Sequence, residues 1–214
     1  HDAFFHELET IKKLDITNKT KITNLYISVF LELGYAALTM NEKDLALAYS
    51  DSSLLYLEKL PEEYDKSGLQ LASDIFRLNA LVSKNEIEKR HPLAVKLLNY
   101  LNTTDENQSG FYADVQNALS NYYFNTKQYD KALGAINKVI LHTTQTNDET
   151  NLNEAKARKS DILAARGELK EAFELKSAVL AYKDSIYKRN ATRQLSEMHT
   201  LYQVNELEKQ TLEK

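Results

Sequence analysis

Five glycines and two prolines are all that 214 residues contain, where average usage would supply roughly 26. Sandwiches, barrels and open α/β sheets reverse direction through turns built on those residues. A chain this poor in them reverses only through short helix-to-helix connections, so the expectation is an all-α fold. With 43% hydrophobic and 27% charged residues there is enough apolar surface for a packed core, which excludes wholesale disorder. The balance of 27 basic against 31 acidic residues, net charge −4, argues against a nucleic-acid binder. The absence of cysteine removes disulfides, thiolate metal sites and cysteine nucleophiles together. It suits an oxidising compartment and is compatible with the cytosol. The most apolar window, Leu25 to Met40, is 16 residues long and carries Glu32. A membrane span needs about 20 nearly uncharged residues, so this window reads as a buried helix. The chain opens on His1 and stops in mid-pattern at Leu212-Glu213-Lys214, which reads as a piece of a longer protein.

Internal similarity organises the chain. Leu119 and Tyr123 share a helical face, a polar turn Asn125-Thr126-Lys127-Gln128 follows, and a second helix opens with Ala132 and continues through Ile136 and Val139. A small residue at Ala132 lets two antiparallel helices approach closely, while the aliphatic pair behind it packs on the next helix. The frame recurs upstream, where Leu33-Gly34 and a polar turn precede Ala46. It recurs downstream, where Leu163, Gly167, Ala172 and Val179 stand for Tyr123, Lys127, Ala132 and Val139. A looser copy centres on Ala94, with an enlarged turn from Asn85 to His91 and Pro92 restarting the helix as a first-turn proline. Gly34, Gly134 and Gly167 fall at helix-contact or turn positions of this frame.

This pattern resembles the tetratricopeptide repeat, a helix–turn–helix of 34 residues. Leu33-Gly34 with Ala46 and Pro61, and Tyr123 with Ala132 and Ile136, carry the resemblance. Tryptophan is absent, Ser50 and Lys176 stand where a large residue belongs, and the spacings exceed 34. The resemblance implies a right-handed superhelical solenoid of helical hairpins. Residues 1–16 form an N-terminal helix in this reading, 17–184 about four degenerate hairpins, and 185–214 a long C-terminal linker helix. Within the last segment Ala191, Leu195, Met198 and Tyr202 make a heptad seam. Asn205 and Lys209 interrupt its continuation, and Leu201, Val204 and Leu207 form a competing stripe.

Catalytic constellations do not emerge. His1, His6, His91, His142 and His199 are scattered without the helical spacing of a zinc site. No glycine-rich phosphate cradle or nucleophile elbow is present. The expectation is therefore a protein without catalytic residues, metal or cofactor. Most of the thirteen tyrosines read as hairpin core. What remains is the concave face lined by first helices. In the repeat frame Ser28, Leu31, Tyr35 and Leu38 point into it from the first hairpin, Asp114, Asn117, Asn121 and Phe124 from the third, and Glu154, Ala157 and Asp161 from the fourth. Asn121 and Arg158 stand where chaperone-binding repeats clamp a terminal carboxylate, but the lysines of that clamp are missing, so its ligand is not implied. The candidate binding residues are Tyr35, Asp114, Asn117, Asn121, Phe124, Arg158 and Asp161.

The stretch Ala181-Tyr182-Lys183-Asp184-Ser185-Ile186, then Gln194-Leu195, then Tyr202 to Glu208, is similar to the end of the extracytoplasmic repeat regions of Bacteroidetes-type membrane sensors. Those continue through a long helix and a membrane span into a histidine kinase or a transcription domain. The resemblance implies a periplasmic sensor or interaction region with a protein or peptide partner, a homodimer through the C-terminal helix, and membrane contact only through segments outside this sequence. The alternative is a soluble, cytoplasmic adaptor that scaffolds a complex through the groove.

Overall fold

The computed structural model describes residues 19–84, 86–104 and 110–212. The helix expected over residues 1–16 lies outside them. Eight helices account for nearly all of the described residues: α1 Lys19–Thr39, α2 Lys43–Glu58, α3 Ser67–Lys84, α4 Ile87–Thr103, α5 Tyr112–Asn125, α6 Tyr129–Gln145, α7 Glu149–Arg166 and α8 Leu169–Leu212. They pair antiparallel as α1/α2, α3/α4, α5/α6 and α7/α8. The chain divides into two compact units, the first ending at Asn147 and the second beginning at Asp148. In the first, α3 packs on α1, α2, α4 and α5 and is its central element. By length and composition alone α1 could cross a bilayer, but here its residues Ile27, Val29, Leu33 and Ala37 are buried in helix contacts.

The turns inside the hairpins share one geometry. Asn41, Lys127 and Gly167 adopt left-handed φ of 63°, 59° and 90°. The next residue's N–H reaches back five positions, Glu42 to Ala37, Gln128 to Tyr123 and Glu168 to Leu163, while the left-handed residue donates three positions back. This double bond is the Schellman closure, which satisfies carbonyls that a helix end leaves open. The following helix starts at once: Ala46, Ala132 and Ala172 donate to Glu42, Gln128 and Glu168. The three alanines are thus equivalent by hydrogen bonding, and each is at most 5% exposed.

The second hairpin departs from the expected frame. Glu86 N–H reaches back to Leu81, and it is Arg90 that donates to Glu86. The slot of Ala46, Ala132 and Ala172 is therefore held by Arg90, which is 2% exposed, one helical turn before Ala94. Pro92 does not restart a helix; it lies inside α4, which begins at Ile87. Its missing N–H falls in the second turn, on the exposed side of the helix. Ala94 is buried in the main core beside Leu97, Leu78 and Leu119, which is why its small, apolar character resembles the anchors. Corrected, the anchor slots Ala46, Arg90, Ala132 and Ala172 are 44, 42 and 40 residues apart.

Twelve positions before each slot stand Gly34, Leu78, Ser120 and Ser160. Ser120 Oγ donates to the Ala132 carbonyl at 3.1 Å and Ser160 Oγ to that of Ala172 at 2.8 Å, so each serine ties the two helices of its hairpin at their closest approach. Gly34 serves a different contact. A Cβ there would lie 2.2 Å from Cζ of Phe76, whose ring is fully buried between α1 and α3. Gly134, by contrast, has nothing within 4 Å of the position a Cβ would take; it is not a helix-contact glycine. Most tyrosines do belong to the core: Tyr112 and Tyr122 are buried, and Tyr26, Tyr49, Tyr56, Tyr64, Tyr100 and Tyr123 are partly buried and packed against it.

The last helix runs unbroken through Asp184 and Ser185, without a boundary at 185. Its 44 residues reach about 66 Å at ~1.5 Å per residue. Ala172 and Val179 are its buried residues and Leu175, Tyr182 and Ile186 are half-buried; every described side chain from Tyr187 onward is exposed.

Candidate functional site

Eleven positions before the four anchor slots stand Tyr35, Asn79, Asn121 and Asp161. In the first unit the three that belong to it form a connected polar row across α1, α3 and α5. Asn121 Nδ2 donates to Asn79 Oδ1 at 3.0 Å, and the Asn79 amide lies near the Tyr35 hydroxyl and favours its ionised form. Tyr35 is 42% exposed, and its ring rests on Phe76 at 4.9 Å between centroids. The Gly34–Phe76 contact sets the spacing of α1 and α3 beneath that row. An amide has two lone pairs and two hydrogens, and the bond between these two uses one lone pair of Asn79 and one hydrogen of Asn121. Asn79 and Asn121 therefore present a polar line on which both donors and acceptors remain.

Partial loss of solvent shifts two titratable groups on this face. Tyr35 has its pKa pushed up to about 12 by burial of the hydroxyl, with the negative charge of Asp114 adding to the effect and the Asn79 amide opposing it. Asp114 is accessible to solvent, yet displaced water raises its carboxyl above its ordinary value, against the pull of His142. The raised pKa means that the folded state holds this proton more tightly than the unfolded chain. Stability then falls as pH rises from the ordinary carboxylate value through the folded one, and the full deficit persists at pH 7. Asp114→Asn should remove it: urea unfolding at pH 7 should show a gain of up to about 0.5 kcal/mol, the ordinary range for an accessible position. The gain should vanish below pH 3.8; a loss at pH 7 would contradict this origin.

Asn117 and Phe124 are half-buried on the same helix, with the Phe124 ring 5.9 Å from that of Tyr129. The structure thus brings Tyr35, Asp114 and Asn121 together and joins to them Asn79, which the expected frame placed elsewhere because it anchored the second hairpin on Ala94. Of the aliphatic residues expected on this face, Leu31 and Leu38 pack against the core. Arg158 and Asp161 belong to the second unit. Asp161 accepts a salt bridge from Lys176 at 2.9 Å. Burial pushes the Arg158 guanidinium down against the pull of Glu154 and Asp161, and its Nη1 has no hydrogen-bond partner.

No family model, curated protein or solved structure significantly matches this chain. The site must therefore be judged on its own geometry. Among the described residues no group of three metal-ligating side chains gathers. The other polar clusters bridge neighbouring helices. Asp74, 5% exposed, joins α3 to α4 through Lys96 at 2.5 Å and accepts from Gln70 at 3.1 Å on its own helix. Arg77 joins α3 to α2 through Asp51 and Ser50. His91 Nδ1 lies 2.7 Å from the Tyr122 hydroxyl, tying α4 to α5. Each pair is accounted for by helix docking.

Proposed function

We propose that this chain is a tetratricopeptide-like repeat module without catalysis of its own. In this reading it binds an extended peptide segment of a protein partner along the α1–α3–α5 face. The observation that carries the reading is the row Tyr35–Asn79–Asn121, which occupies equivalent positions in three successive hairpins. An extended peptide offers N–H and C=O groups in alternation, and a row of half-satisfied amides meets both. Asp114, held in the same face at a cost to stability, favours a segment that carries a lysine or arginine. The three hairpins of the first unit stack as a right-handed solenoid in this proposal, and Arg158 and Asp161 are a separate candidate surface on the second unit.

The same proposal places the module in the extracytoplasmic part of a membrane signalling protein, with α8 carrying the bound state onward as one half of a homodimer. The cysteine-free composition and the terminal-helix resemblance support that placement. Panning a random peptide library against the chain tests the binding face directly. Enriched peptides should be basic, and Asn79→Ala together with Asn121→Ala should weaken them by about tenfold or more, one to two lost hydrogen bonds at roughly 1 kcal/mol each. Enriched peptides indifferent to both substitutions would move the site elsewhere.

A further inference from the structure

Helices α4 and α6 flank α5 without a packed interface between them, and the space they leave is a cavity of about 300 Å³. That volume lies at the lower end of the roughly 300–1,000 Å³ of small-molecule sites. It draws on a different stripe of α5 from the polar row: Gln116, Leu119 and Tyr123, not Asp114, Asn117 and Asn121. Leu98 and Leu101 of α4 and Leu119 supply an apolar lining. Gln116, 4% exposed, places a polar side chain in the same wall.

The α6 wall is the informative one. Gly134 lines the cavity in mid-helix, where glycine costs about 1 kcal/mol relative to alanine, and no neighbour lies within 4 Å of where its Cβ would be. Packing does not explain that glycine; the open space does. Three residues before it and four after it, Lys131 and Lys138 stand on the same side of α6 and line the same cavity. Neither has a carboxylate partner among the described residues. The Lys131 ammonium lies 5.6 Å from the Tyr123 ring centroid. The described residues thus form an apolar recess with two lysines at its edge, neither paired with a described carboxylate.

We propose that this cavity binds an amphiphilic anion, a medium-chain acyl carboxylate whose hydrocarbon tail enters between α4 and α6 over Leu98, Leu101 and Leu119 while its carboxylate meets Lys131 and Lys138. The apolar tail gains by leaving water, and the two lysines select a negative head over a neutral one. The site does not depend on the peptide-binding reading of the α1–α3–α5 face.

Titration calorimetry of the full chain with decanoate, kept below its micellar concentration, tests the proposal. The expected result is saturable binding at one site. Lys131→Gln with Lys138→Gln should weaken it by about tenfold or more, and decanol, the same tail without charge, should bind more weakly than decanoate by a similar factor. Gly134→Leu should abolish binding while leaving the melting temperature at or above that of the parent, because it fills open space and replaces a helix-weakening residue. Absence of saturable heat, decanol binding as tightly as decanoate, or a folded Gly134→Leu variant with undiminished affinity would each overturn the proposal. The lysine pair, exposed on the surface, keeps the test decisive should Gly134→Leu fold poorly.

Discussion

Phe76→Ala should destabilise the protein by about 3–5 kcal/mol, the usual range for emptying a fully buried aromatic position. Phe76 has 0% exposure, packs with Ala37, Ala46 and Ala80, and places its ring edge 2.2 Å from where a Cβ of Gly34 would be. Gly34→Ala alone should therefore also destabilise, by about 1–3 kcal/mol, because the ring has nowhere to retreat. The pair together is the sharper test. Once Phe76 is alanine the added methyl enters vacated space, and the helix gains about 1 kcal/mol from losing its glycine. Gly34→Ala should thus change sign from destabilising to stabilising in the Phe76→Ala background. Denaturant unfolding of the four proteins measures this coupling; additive effects would mean that Gly34 is not where the two helices are held.

In the proposed homodimer, Leu195→Glu with Met198→Glu should convert the chain to a monomer. Both side chains are 67% exposed on α8, and helices of this kind are marginal in water without a partner surface. In a two-stranded seam through Ala191, Leu195, Met198 and Tyr202, four large side chains would be buried across the two copies. At roughly 1.5 kcal/mol or more each, their loss totals on the order of 6 kcal/mol, or about four decades in the dimer dissociation constant. Sedimentation equilibrium of parent and variant reads the effect. Circular dichroism should report a parallel loss of helix confined to the end of α8. If the parent is already monomeric at high concentration, the homodimer reading fails and the soluble adaptor that binds through the groove alone becomes the better account.

The helical class was legible because it rests on a scarcity that no arrangement of the remaining residues can offset. The turns at Asn41, Lys127 and Gly167 were legible as polar interruptions of apolar periodicity. Their left-handed closure was foreshadowed only at Gly167, since asparagine and lysine report that conformation weakly. The second hairpin misled for a local reason. Pro92 resembles a helix start and Ala94 resembles an anchor, so both signals agreed on a frame one turn too late, with Arg90 holding the slot usually reserved for a small residue. That shift hid Asn79, the middle member of the polar row. With the spacing of 44, 42 and 40, the succession Tyr35, Asn79, Asn121, Asp161 could have been read from the sequence. The cavity beside Gly134 could not, because it depends on two helices failing to meet, and a glycine that allows close contact looks the same in sequence as one that leaves room.

The decreasing spacing also has a bearing on how such a chain can change in length. From each of Tyr35, Asn79, Asn121 and Asp161 to its anchor slot the count is eleven, while the junctions between hairpins run from Lys59 to Lys66, 104 to 111 and Thr146 to Asp148, eight, eight and three residues. The step from 44 to 42 therefore lies in helix length, α5 beginning nine residues before Asn121 where α3 begins twelve before Asn79, and only the step to 40 draws on a shorter junction. Residues gained or lost at those junctions leave the Schellman closures and the serine ties intact. Such a chain thus varies its repeat length by two routes, helix length and junction length, while the turn closures stay fixed.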